Sequence, residues 1–385
     1  MKKILLIPDS FKGTMSSARI CTLMKEAVAD VFPSCETFSI PVADGGEGSV
    51  DAFLEAVGGT KEKAVVKNPF FEDMESFYGI LNGGAAEKTA VVEMAACAGL
   101  PLATERLNPR ITTTYGAGQL VAAALKKGCK KIIIGLGGSA TNDGGCGAAA
   151  ALGVRFFDQD GKSFVPVGGT LKDIAHIDTS AIEEYVKQAD FTAMCDIDNP
   201  LYGENGAAYI FGPQKSADET AVRELDAGLR HFAEIVKRDL GIDKADYPGA
   251  GAAGGMGYGL LCLLGARLKM GIETVLDTTG FDRLLTNADC VFTGEGKIDS
   301  QSLRGKVVIG VARRAKKAGV PVIAVVGDAE RGLDAAYDTG VTAVFSINRL
   351  AVPFSEAKKT AEADLSATMR DILRLMHMCE RRFRV

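Results

Sequence analysis

The amino end opens on a compact apolar run, Ile4-Leu5-Leu6-Ile7 closed by Pro8, and an unbroken run that short predicts a strand buried on both faces. Ser16 or Ser17 stands where a helix needs its cap, and Ile20, Leu23, Ala27, Val28 and Val31 recur at helical spacing. Phe38, Ile40 and Val42 alternate as a second strand does, and helix-patterned sequence resumes after Gly48 and stops at Gly58-Gly59. Strand, helix, strand, helix is the unit from which parallel sheets with right-handed crossovers are built.

The pattern changes at Lys61. As far as about Val92 closely spaced strand candidates are separated by turn residues such as Asn82-Gly83-Gly84, which predicts antiparallel hairpins of a different sheet. A helix from about Gly118 to Lys127, a strand over Lys131–Ile134, a glycine-rich loop and a strand over Phe191–Met194 follow. Regular alternation then returns, with buried strands at Cys290–Phe292, Val322–Val326 and Val341–Phe345. A helix over Val307–Lys317 is closed by Gly319 with Pro321 beyond, and a long helix from Ser355 to about Met378 ends the pattern. The economical organisation is one parallel α/β domain built from residues 1–60 and 251–385, with a second domain, residues 61–250, inserted into it. A cleft between the two is the expected active site.

Composition adds constraints. A chain of 385 residues with 47% hydrophobic and 24% charged residues is a folded, enzyme-sized protein of two or three domains. Its 45 glycines cluster in short runs without a period, so they mark special loops and not a repeat. Net charge is −5, and the only basic block is the short tail Arg381, Arg382 and Arg384, which argues against nucleic acid as a partner. Nine scattered cysteines without a C-x-x-C pair read as buried thiols in a reducing compartment, the cytoplasm. The apolar start is cut short by Asp9 and Lys12, too early for a signal peptide. Gly249–Ala266 carries no formal charge, yet seven of its residues are glycine, so no membrane span is expected there.

In open parallel sheets ligands bind beyond the carboxyl ends of the strands. Five loops in that position combine glycine with a carboxylate, an amide or a lysine: Asp9-Ser10-Phe11-Lys12-Gly13, Ala43-Asp44-Gly45-Gly46-Glu47-Gly48, Gly137 to Gly145, Cys195 to Pro200, and Thr293 to Asp299. One such loop is an ordinary turn. Five of them fit phosphoryl transfer, which needs glycine amides near phosphate oxygens, carboxylates to hold Mg²⁺ or take a proton, and one or two cations.

Three look-alikes compete. Gly161-Lys162-Ser163 resembles the end of a P-loop, but Phe156 stands where the first glycine belongs. Gly249-Ala250-Gly251-Ala252-Ala253-Gly254 satisfies G-x-G-x-x-G without a preceding strand. The serious rival is Gly135-Leu136-Gly137-Gly138-Ser139-Ala140, which follows a strand and has Asp158 downstream, as an NAD-dependent dehydrogenase of a small hydroxy acid would. Against that reading, the loop runs on through Asn142-Asp143-Gly144-Gly145 where a dinucleotide helix should have begun, and Asp158 lies in a turn-forming sequence, Asp158-Gln159-Asp160-Gly161. The three histidines, His176, His231 and His377, adjoin no glycine-rich loop.

The five loops, together with Asn199-Pro200-Leu201, Phe211-Gly212-Pro213-Gln214-Lys215, Gly251-Ala252-Ala253-Gly254-Gly255, Asp299 and Gln301, resemble the bacterial glycerate kinase family from one end of the chain to the other. Ser216 departs from the pattern, standing where glycine is expected. The resemblance implies two α/β domains: a flavodoxin-like parallel-sheet domain formed by both chain ends, and a mixed-sheet α/β domain inserted into it. It also implies ATP, Mg²⁺ and D-glycerate, and it favours phosphorylation at the 2-hydroxyl, on which the residues alone are silent.

Roles at the matched positions follow from physical chemistry. Asp44 accepts the substrate hydroxyl proton or orients that hydroxyl. Lys12 and Lys215 are the local cations for the glycerate carboxylate and the transferring phosphate, with Asp9, Ser10 and Glu47 as further substrate contacts. Gly137, Gly138, Ser139, Thr141 and Asn142 cradle phosphates, with Glu295 also assigned to the nucleotide. Asp196 is the first choice for Mg²⁺, with Asp198 or Asp299 as helper.

Overall fold

The computed structural model describes residues 1–43, 45–82, 87–299 and 306–383. The strands of its two main sheets are, in chain order, β1 (Lys3–Pro8), β2 (Glu36–Ser39), β3 (Gly59–Lys67), β4 (Asp73–Leu81), β5 (Thr89–Glu93), β6 (Lys131–Gly135), β7 (Asp190–Met194), β8 (Arg267–Lys269), β9 (Cys290–Gly294), β10 (Val322–Val326) and β11 (Val341–Ser346). The chain divides into two compact α/β units, Met1–Ala43 with Ile272–Val385, and Asp44–Gly271.

The first unit carries a five-stranded sheet in the order β11-β10-β9-β1-β2, every pair parallel. Numbered within the unit this is 2-1-3-4-5, the flavodoxin-like order, whose switch point lies between β1 and β9. β9 and β10 are buried at every position, as parallel strands covered on both faces must be. The helix Ser17–Val31 is capped by Ser16, whose side chain accepts from Arg19 N at 3.2 Å. Its stripe of Ile20, Leu23, Met24, Ala27 and Val28 shares a core with Leu365, Met369 and Leu373 of the helix Phe354–Phe383. Each such aliphatic side chain contributes about 1.5–3 kcal/mol relative to exposure.

β2 ends at Ser39 instead of running to Val42, because Val42 N is taken by the Ser17 hydroxyl at 2.8 Å. That same hydroxyl donates to Pro8 O at 2.6 Å and so ties the end of β1 to the segment after β2.

The second unit carries a six-stranded mixed sheet, β8-β7-β6-β5-β4-β3. β3, β4 and β5 are antiparallel neighbours, whereas β5, β6, β7 and β8 run parallel. The turn between β3 and β4 is closed by Asn68 Oδ1, which accepts from Phe70 N and Glu72 N. The parallel pair β5–β6 needs a crossover, supplied by the helix Tyr115–Lys126.

The unit boundaries fall at 43/44 and 271/272, away from the expected 60/61 and 250/251. The helix Ser49–Val57 packs on β4 and β5, and the helix Ala252–Leu263 and β8 build into the second unit's core and sheet. The helix Glu219–Leu240, capped by Asp218 and ended by Gly241 at φ 70°, was not singled out by the pattern although Leu225, Leu229, Phe232 and Val236 line its buried face.

A separate small sheet joins Arg155–Phe157, Ser163–Phe164 and His176–Asp178. Gly161-Lys162-Ser163 lies at its hairpin, where Asp158 Oδ1 accepts from Asp160 N and Lys162 N. Among the described residues no helix is long and apolar enough to cross a membrane.

Candidate active site

The loop after β6 lies on glycine. Gly137 N donates to Gly45 O at 2.9 Å, and a Cβ on Gly137 would stand 2.6 Å from Gly46 Cα and 2.8 Å from Gly46 N. On its other side Gly144 N donates to Gly254 O at 3.0 Å, where the backbone of Ala253, Gly254 and Gly255 is left-handed. The Gly249–Gly254 motif is thus a bed for this loop, since only glycine lets two backbones approach so closely. The Gly45–Gly46 and Gly254–Gly255 segments grip the loop from two directions.

Lys215 enters from a short turn, Pro213–Lys215, closed by Ser216 in the left-handed region at φ 63°. Its Nζ donates to Ser139 Oγ at 2.8 Å and to Thr141 O at 2.6 Å, and the residue is 1% exposed. Burial pushes this ammonium down to about 7, while the charge of Asp143 works in the opposite direction. Asp143 is itself fully buried. Its carboxylate accepts from Thr114 N and Thr114 Oγ1, both at 2.8 Å, from Gly145 N at 3.0 Å and from Gly147 N at 3.3 Å. Burial raises this carboxyl above its ordinary range and the four donors oppose the rise.

Thr141 Oγ1 and both ends of the Asn142 amide are buried without a hydrogen-bond partner in the protein. Each such group costs about 1–3 kcal/mol if left unmet, so these atoms mark places where a polar ligand or water completes the site.

Glu93, which the sequence reading did not single out, ends β5 and is 1% exposed. It accepts from Val50 N at 2.5 Å and from Gly48 N at 3.2 Å, and burial raises its carboxyl. A carboxylate at the carboxyl end of a strand was the available signal, but Met94-Ala95-Ala96 after it holds no glycine.

The remaining expected residues are distributed as follows. Asp196 is exposed after β7 and its Oδ1 accepts from Gly271 N at 2.7 Å; Asp198 is exposed nearby in sequence. An exposed carboxylate is the kind of ligand of which Mg²⁺ takes one or two. Among the described residues no group of three or more His, Cys, Asp or Glu could hold a metal by itself. In the first unit Asp9 N donates to Gly294 O at 2.8 Å, and a Cβ on Gly296 would stand 3.4 Å from Lys12 N, so the loops after β1 and β9 lie side by side. Ser10 N donates to Asp9 Oδ1 at 2.6 Å, Lys12 is exposed, Glu295 is 5% exposed and Asp299 is half-buried. Glu47 is exposed, and Gly138 is exposed beside half-buried Gly137. Asp44 and Gln301 lie outside the described residues.

The dehydrogenase alternative fails on this geometry. After Gly135–Ala140 the chain runs through Asn142-Asp143-Gly144-Gly145 before the six-residue helix Cys146–Ala151, and Asp158 sits in a hairpin of the small sheet instead of after a neighbouring strand. The histidines serve elsewhere: His176 meets Asp239 at 3.0 Å, His231 meets Ile174 O at 2.7 Å, and His377 packs edge-on against Phe32.

Fold and loops together define a class, an α/β enzyme whose strand-end loops carry glycine amides, a buried lysine and carboxylates. Residues 4–377 match the sequence profile of the Glycerate kinase family. The chain is 44% identical to the glycerate kinase of Bacillus subtilis (strain 168), with 96% of each chain covered. It is 42% identical to the glycerate 2-kinase of Escherichia coli (strain K12), covering 96% of this chain and 97% of that one. The crystal structure of a protein assigned as glycerate kinase 2 from Salmonella typhimurium LT2 superposes with a TM-score of 0.86 at 38% identity, over 99% of both chains. The chain belongs to the glycerate kinase family.

Proposed function

We propose that this enzyme transfers the γ-phosphoryl group of ATP to the 2-hydroxyl of D-glycerate, giving 2-phosphoglycerate. The observation that carries the reading is Lys215, buried and pinned to Ser139 and Thr141 within a loop whose glycines meet backbone on two sides. A cation and amides held so rigidly suit the charge that develops on a phosphoryl group in flight, because no reorganisation is needed when it arrives. The amides of Gly137, Gly138 and Ser139, with Thr141 and Asn142, cradle phosphate oxygens, and Glu295 serves the nucleotide. Mg²⁺, when bound, neutralises charge between phosphates, and Asp196 with Asp198 or Asp299 would hold it.

On the substrate side Lys12 takes the glycerate carboxylate, with Asp9, Ser10 and Glu47 as further contacts. Asp44 accepts or orients the hydroxyl proton, and Asp44→Asn is expected to lower turnover about a hundredfold; near-normal turnover of a folded variant removes it from that role. An anchored carboxylate keeps C2 near the anchor and leaves C3 pointing away. In-line attack needs the chosen oxygen about 3 Å from phosphorus, so the anchor selects the product. The E. coli relative's name, glycerate 2-kinase, supports the same choice.

The test couples the purified protein, ATP, Mg²⁺ and D-glycerate to enolase without a mutase. Phosphoenolpyruvate should form directly. Signal only after mutase is added assigns the 3-hydroxyl, and ADP release that does not depend on D-glycerate overturns the reaction.

A further inference from the structure

We propose that Glu93 is a positioning residue for catalysis: its carboxylate holds the segment Gly45–Val50, which includes Glu47, in register with the phosphate loop, an inference that rests on the function proposed above. Three independent tethers fix the backbone from Gly45 to Val50. Gly45 O accepts from Gly137 N at 2.9 Å, Gly46 O accepts from the Ser49 hydroxyl at 2.7 Å, and the amides of Gly48 and Val50 both donate to Glu93. The last tether comes from another strand. The helix Ser49–Val57 begins at Gly48, φ 87°, which offers no capping side chain, so its first-turn amides need an acceptor from elsewhere. Glu93 supplies both oxygens, and as an anion it also suits the positive end of that helix.

Its place in the sheet links the tether to the phosphate loop. Glu93 is the register partner of Gly135, the residue from which that loop departs, and Gly135 has no room for a Cβ against Gly45 O. One strand-end pair therefore sets two loops, that after β6 through Gly135 and that before the helix through Glu93. Among the described residues no salt bridge neutralises Glu93, and burial raises its carboxyl, a cost that its backbone donors partly offset. With 1% exposure it does not reach a substrate itself.

The experiment compares wild type with Glu93→Gln, in which one oxygen becomes an NH₂ facing a backbone N–H. Steady-state kinetics, thermal unfolding and amide exchange over residues 45–50 are read together. Positioning predicts that kcat falls about tenfold or more, that the KM for ATP stays within about twofold, and that the Gly48 and Val50 amides exchange faster. A purely structural role predicts a lower melting temperature with kcat intact below it, the behaviour expected of Val66→Ala, a core change elsewhere in this unit that serves as control. An unchanged kcat in folded Glu93→Gln overturns the proposal. If that variant does not fold, Glu93→Asp shortens the side chain by one methylene and draws the carboxylate back from the Gly48 and Val50 amides, and faster exchange there with unchanged kcat overturns the proposal equally. If wild type itself makes no phosphoglycerate, the proposed reaction fails, and the exchange data still decide whether Glu93 holds the loop.

Discussion

The loop after β6 is gripped between Gly45–Gly46 and Gly254–Gly255, and its Ser139, Thr141, Asn142 and Asp143 are buried with Lys215. The loops after β1 and β9 use the same residue types differently: Lys12 is exposed, a Cβ on Gly13 would meet nothing within 4 Å, and Lys297 is half-exposed and paired to Glu330 at 2.7 Å. Burial makes the first group rigid at a desolvation cost visible in Lys215. Holding an exposed lysine such as Lys12 in one geometry costs about 1–2 kcal/mol of rotamer freedom. A phosphoryl group in flight profits from the first arrangement, and capture of a small acid tolerates the second.

The largest contrast is expected between two lysine deletions. Lys215→Met should lower kcat/KM about a thousandfold, mostly through kcat, because its ammonium acts in a dry, fixed place. Lys12→Met should cost about ten- to a hundredfold, mostly through the KM for glycerate. Equal losses in both, each carried by kcat, would break the comparison. Next comes a pair of glycine substitutions measured by urea unfolding and turnover. Gly137→Ala drives a Cβ against Gly46 and should cost about 2–3 kcal/mol and about a hundredfold in rate. Gly13→Ala, whose only penalty is φ 74°, should cost about 1 kcal/mol.

A smaller effect is expected from pH. Burial pushes Lys215 down to about 7 in the folded protein, against an ordinary 10.5 when unfolded. Between those values the unfolded chain binds the proton that the folded chain has released, so this group's contribution to stability rises with pH across that window and is least favourable below it. Lys215→Met should flatten the rise in melting temperature over the same range, and an unchanged slope would show that Lys215 stays charged when buried. Smallest is Ser216→Gly. Ser216 holds φ 63° right after Lys215, and removing its Cβ should stabilise the protein by about 0.5–1 kcal/mol. A destabilised variant would mean that the serine hydroxyl earns its place by a contact worth more than the strain.

Much of this architecture was legible in residue order. The helix Val307–Lys317 and the strand Val322–Val326 occur at the bounds that periodicity and Gly319 predict, and the strand-end glycine loops were visible as a class. Periodicity works there because a helix or buried strand is specified by neighbours a few residues away. The end of β2, the unit boundaries and the service of Gly249–Gly254 as a packing bed were not legible, since each depends on which backbone lies opposite. Glu93 escaped for the same reason: its partners Gly48 and Val50 stand 45 and 43 residues away, and nothing local distinguishes it from any strand-end carboxylate.

By itself, then, the amino-acid order determined the elements, the α/β class and the kind of residue at each strand end, all of them short-range properties of pattern and backbone preference. Only the tertiary structure decided that Lys215 would lose water and meet Ser139, 76 residues away, that the charge of Asp143 would act on it, and that Glu93 would cap a helix belonging to another stretch of chain. Charge, pKa and positioning depend on burial and on partners far off in sequence, and those come into being only when the chain has folded.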